Sequence, residues 1–158
     1  MFLRGAVVCL LICMGFQVHS KDLTSRLGVG FSDNLSETLP SLYVKYYSSM
    51  ETAFSASLGV DTKKDQSKFG FLAKVYRTIF MEDNLNFYMG AGAGLLSQEE
   101  AGTNSSGFEL NGFAGVEFFL PGLDSLGFSV EMGMGVSSPA SGTRFRTIGQ
   151  TAGVVFYF

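Results

Sequence analysis

Apolar and polar residues alternate with period two along most of the chain after Lys21, and no stretch of twelve or more residues sustains the 3.6-residue period of a helix. The alternation recurs eight times, predicting strands at about 24–31, 41–47, 51–60, 68–80, 84–95, 107–119, 126–136 and 146–158. In the fifth, Leu85, Phe87, Met89, Ala91, Ala93 and Leu95 share one face, and Asn86, Tyr88, Gly90, Gly92 and Gly94 share the other. Leu72, Arg77 and Phe113 break the pattern of their strands.

Connections alternate in length. Long ones at 32–40, 61–67, 97–106 and 137–143 are rich in Ser, Asn, Asp, Gly or charge, and short ones lie at 48–50, 81–83 and 121–125. Residues that face each other in an antiparallel hairpin share a side of the sheet. Pairing Tyr47 with Glu51, Phe80 with Asn84 and Leu120 with Leu126 keeps the apolar face continuous from strand to strand. These elements predict an all-β, eight-stranded antiparallel up-and-down barrel.

Composition then decides which face is outside. The chain is 46% hydrophobic and 16% charged, with 20 Gly and 16 Phe. A soluble barrel of the lipocalin kind would crowd its second face with Lys, Glu, Asp and Arg. Here that face is mostly Gly, Ser, Thr, Asn and Tyr, which suits the narrow interior of an eight-stranded barrel. Glycines 28, 30, 90, 92, 94, 133 and 135 would leave room there for larger polar side chains. The expectation is a transmembrane β-barrel with its apolar face toward lipid, short turns on one side and longer external loops on the other.

Residues 1–20 read as a secretory signal peptide: Arg4, an apolar run from Gly5 to Val18 broken only by Gln17, and small-residue cleavage chemistry before Lys21. Both cysteines and the single histidine lie in this segment. The barrel, 21–158, keeps 10 Lys and Arg (11 less Arg4) against 14 Asp and Glu, a formal charge of −4. A nucleic-acid partner is not expected of so acidic a chain. Zinc sites, thiol chemistry and nucleophiles relying on a histidine base are excluded for the exported part, and no cofactor is expected.

The final stretch carries a resemblance. Thr151, Gly153, Phe156 and Phe158 stand in the register of the C-terminal insertion signal of bacterial outer-membrane barrels. With it, residues 21–158 resemble the small eight-stranded outer-membrane barrels of the OmpA-barrel and OmpX-like group, departing from them in having no Trp. The resemblance implies a bacterial outer-membrane location, and with nothing following Phe158 no periplasmic domain is expected. The partners it implies are outer-membrane lipids and lipopolysaccharide, the barrel-assembly machinery and periplasmic chaperones. A monomer is expected.

The face assigned to the lumen carries Arg26, Lys45, Glu51, Lys74, Glu109, Glu117 and Glu131, with Lys45 expected diagonal to Glu51. Charges of both signs in a narrow lumen suggest either a salt-bridged plug or a narrow polar pore lined or gated by the same groups. Arg144 and Arg146, at the entry to the last strand, are candidates for contact with lipopolysaccharide phosphates. The expected function is structural or surface-contact, in envelope integrity and through the external loops. The alternative is a small porin-like channel for ions or small solutes. A lipid-modifying outer-membrane enzyme fits less well, since it would need a histidine beside its serine.

Overall fold

The computed structural model describes residues 22–35, 39–63, 66–100, 103–138 and 143–158, excepting the side chains of residues 100, 144, 146 and 148. The predicted signal peptide lies outside the described residues. Eight strands follow in order: β1 (Leu27–Ser32), β2 (Ser41–Tyr47), β3 (Thr52–Asp61), β4 (Lys68–Glu82), β5 (Leu85–Glu100), β6 (Thr103–Phe119), β7 (Leu126–Ser138) and β8 (Arg144–Tyr157). Each pairs antiparallel with its sequence neighbour, and β1 pairs with β8 to close the barrel. Closure removes both sheet edges along the paired rungs.

The two faces are as the alternation assigns them. Along β4, Phe69, Phe71, Ala73, Val75 and Arg77 are exposed, while Gly70, Leu72, Lys74, Tyr76 and Thr78 are buried. The pattern-breakers are therefore real exceptions at fixed positions: Leu72 points inward and Arg77 outward, and no register change accommodates them. Phe113 likewise turns inward and packs edge-on against Tyr76, with ring centroids 5.2 Å apart.

The turns depart from expectation in instructive ways. Tyr47 pairs with Ala53, not Glu51, so the β2–β3 turn is two residues longer, a change that preserves parity. Between β4 and β5, Glu82 pairs with Leu85, leaving a two-residue turn that would invert every following face. A bulge between Thr78 and Phe80 inserts one residue, Ile79, and restores the faces. The predicted register of β6 with β7 is the observed one, since Phe119 pairs with Gly127. The long loop expected at 97–106 is instead ladder: Ser97 pairs with Ser106, and pairing continues to Glu100 and Thr103. β7 ends opposite Phe108, so the β5–β6 hairpin stands taller than its neighbour.

Both ends of the barrel are filled. At the short-turn end, Ser25 takes the left-handed conformation (φ 63°) and a turn closes from the Arg26 N–H to the Leu23 carbonyl at 3.0 Å. This tucks Leu23 into the aromatic cluster of Tyr47, Phe119 and Tyr157. Beside it, hydrogen bonds from Thr24 hold the exposed Asp22 carboxyl below the usual aspartate range. At the long-loop end, the β1–β2 connection was expected to be a solvated external loop. Its described residues instead fold inward, burying Leu35 and Leu39 against Leu72. Facing glycines admit them: a Cβ on Gly59 would stand 2.6 Å from Leu35 Cδ1, and one on Gly70 would stand 2.9 Å from it.

Candidate functional site: the charged barrel core

Four strands supply the core. β2 brings Lys45, β4 Lys74, β6 Glu117 and β7 Glu131, all on the inward parity of their strands. Glu117 accepts from the Lys45 ammonium at 3.0 Å and from the Tyr47 hydroxyl at 2.6 Å on Oε2, and from the Tyr157 hydroxyl at 2.6 Å on Oε1. Lys45 and Glu117 are both 0% exposed. The Lys45 ammonium also lies over the rings of Tyr47, Tyr76 and Tyr88 at 4.9, 4.7 and 4.9 Å, so the cation meets three π faces besides its carboxylate.

The second pair repeats the chemistry. Lys74 donates to Glu131 Oε2 at 2.5 Å, Tyr88 donates to Oε1 at 3.0 Å, and Phe113 covers the Lys74 ammonium at 4.4 Å. Glycine makes the space. A Cβ on Gly115 would sit 2.9 Å from Glu131 Cγ, and one on Gly92 would sit 2.9 Å from Lys74 Cγ. The two cations and two carboxylates of these pairs carry no net charge between them, each ion paired and hydrogen-bonded, which is the condition under which buried ions are tolerated.

Of the charges expected in the lumen, Lys45, Lys74, Glu109, Glu117 and Glu131 are buried there. Two are not. Glu51 falls in the lengthened β2–β3 turn, outside the barrel, where it pairs with Arg77 at 2.5 Å. Arg26 precedes β1 in the turn at the barrel's end and is half-buried. The expected Lys45–Glu51 diagonal does not form, because Lys45 reaches across the barrel to Glu117. The backbones of Arg144 and Arg146 pair with Ser137 and Gly135, and the lipopolysaccharide contact expected of their side chains lies outside the described residues. In the last strand Thr151 pairs with Glu131, Gly153 fits against Ser129 Oγ, and Phe156 and Phe158 are exposed on the outer wall.

Sequence reasoning missed the tyrosines. Tyr47, Tyr88 and Tyr157 are the neutral donors that complete each carboxylate, and their inward parity beside Lys and Glu was the available signal. Among the described residues, no group of three or more His, Cys, Asp or Glu side chains is placed to hold a metal. Fold and core together define a closed, side-chain-filled, ion-paired β-barrel. Comparison with protein-family models, with curated proteins and with solved structures finds no match to this chain.

Proposed function

We propose that this chain spans the outer membrane of a Gram-negative-type bacterium, exported by its signal peptide, and serves a structural or surface-contact role without conducting solutes. The observation that carries the reading is the inversion of polarity. Large apolar side chains are exposed on every strand, among them Phe31, Leu42, Phe54, Phe71, Leu95, Leu110, Met132 and Phe156, while lysine and glutamate pairs fill the inside. A soluble molecule rarely exposes a contiguous apolar patch beyond roughly 300–600 Å². A belt around a whole barrel suits hydrocarbon instead, where closed ladders are the only sheets that satisfy the backbone.

The filled core supports a plug over a pore, and the tall, polar β5–β6 hairpin offers a surface for contact. Outer-membrane lipids, lipopolysaccharide and the barrel-assembly machinery are the partners that this location brings. Membrane fractionation with unheated and heated gel migration tests the architecture: a membrane-bound band whose mobility changes on heating is expected, and a fully soluble product would overturn it. In planar bilayers, the purified protein is expected to show no conductance steps. Discrete open steps in the unmodified protein would overturn the plug and favour the channel.

A further inference from the structure

We propose that the outer wall holds one zwitterionic phospholipid, with its acyl chain in a groove over β4 and β5 and its phosphoethanolamine headgroup on the Arg77–Glu51 pair. The inference rests on the membrane reading above and adds a particular lipid at a particular place. Its first support is shape. Three outward positions here, Ala73, Ala91 and Ala93, are small. Together with Phe54, Val75 and Leu110 they line a groove of about 540 Å³ on the outer surface.

The second support is charge. Val75 pairs with Ala91, and Arg77 occupies the next outward position on β4, paired with Met89. At about 3.3 Å per residue, Arg77 stands roughly 13 Å along the strand from Ala73, toward the short turns. An arginine on the lipid face of a barrel costs about 2–4 kcal/mol at the midplane and falls to about 0–1 near the interface. Arg77 pairs with Thr52, the first residue of β3, near the short-turn rim, so in the membrane reading it lies at headgroup level. Its partner Glu51 comes from the β2–β3 turn, and the two side chains remain 63% and 55% exposed, so each keeps a face for a ligand.

A fixed guanidinium and carboxylate side by side complement a headgroup that carries a phosphate and a primary ammonium. The guanidinium fork takes the phosphate oxygens. The carboxylate takes the ammonium N–H groups. Phosphatidylglycerol supplies the phosphate but no cation, and it meets Glu51 as an unmatched anion. Phosphatidylcholine supplies a cation without N–H donors.

Native mass spectrometry of the folded protein, delipidated and then titrated with each of the three lipids, tests this. One phosphatidylethanolamine is expected to be retained about tenfold more strongly than phosphatidylglycerol, the scale of one charge-assisted hydrogen bond. Arg77→Gln is expected to lower phosphatidylethanolamine retention by a similar factor. Ala91→Phe, which fills the groove from outside, is expected to lower retention of all three, and Met134→Ala on β7 to change none. Equal retention of phosphatidylethanolamine and phosphatidylglycerol by membrane-inserted protein, or retention unchanged in both Arg77→Gln and Ala91→Phe, would overturn the lipid site and leave the membrane reading standing. Failure of the unmodified protein to enter membranes would overturn the reading beneath it.

Discussion

Replacing Glu117 by Gln is expected to destabilise the folded barrel by about 3–5 kcal/mol, and adding Lys45→Met to that variant is expected to restore most of the loss. Glu117 is the acceptor for Lys45, Tyr47 and Tyr157 together. Glutamine keeps the shape and one carbonyl oxygen, so the hydroxyl of one tyrosine retains its acceptor and the amide supplies a donor to the other. The charge is what disappears. Lys45 is then a fully buried cation facing aromatic rings alone, and a cation–π contact contributes about 0.5–2 kcal/mol, less than the desolvation of an ammonium. Removing the ammonium as well removes the unpaired charge, so the double variant should lie closer to the unmodified protein than the single one. Equilibrium unfolding in urea, followed by gel mobility, measures all three states. A single variant within about 1 kcal/mol of the unmodified barrel, or a double variant no better than the single, would show that the pair does not carry this weight.

The strand faces were legible because one physical constraint repeats down the chain. A residue that must stand on the outer wall or in a tight interior leaves a period-two mark, and Phe87, Met89 and Ala91 carry it as plainly as Tyr88 and Gly90 do. Parity checks on the hairpins survived even where turn lengths were wrong, because a two-residue error leaves faces unchanged and the single-residue error at Glu82–Leu85 is cancelled by the bulge at Ile79. Partners across the lumen were not legible. Lys45 and Glu117 stand 72 residues apart on strands that never share a ladder. Their meeting depends on strand tilt and stagger, which alternation does not encode.

Glu51 was misplaced for a local reason: the segment Ser48–Ser49–Met50 has no glycine or proline to fix a turn type, and both serine N–H groups turn back onto the Thr52 carbonyl. The β5–β6 extension was hidden because Ser97, Gln98, Ser105 and Ser106 are polar on both faces and leave no period to read. Leu35 and Leu39 sit in a polar stretch too short to show periodicity, and only the facing glycines Gly59 and Gly70 hint that something must fill the space between them.

Gly30→Ala is expected to prevent the barrel from closing, reducing the compact, heat-sensitive form by more than about tenfold, whereas Gly112→Ala leaves it intact. β1 is only six residues long, and it meets β8 over the rungs from Gly28 with Tyr157 to Ser32 with Gly153. Gly30 is the middle rung of that seam, opposite Val155, and on its other side it pairs with Tyr43. A Cβ there would overlap the Val154 carbonyl oxygen and lie 2.7 Å from Val155 Cα. Both are backbone atoms, so no side-chain rotation relieves the clash and the two strands must separate. At Gly28 the nearest atoms belong to the side chains of Val155 and Tyr157, and at Gly112 nothing lies within 4 Å. Gly90 and Gly133 also face backbone carbonyl oxygens, of Val75 and Gly112, but on the long β4–β5 and β6–β7 ladders, whereas Gly30 sits on the shorter closing seam. Separation at the middle of so short a seam unpairs backbone groups on both strands, and each backbone group left unpaired away from water costs about 1–3 kcal/mol. Refolding the two variants and the unmodified chain into detergent, then comparing unheated gel bands, measures the closed fraction. A Gly30→Ala protein that closes as well as Gly112→Ala would mean that the seam can open enough to admit a methyl group and that this rung does not limit closure.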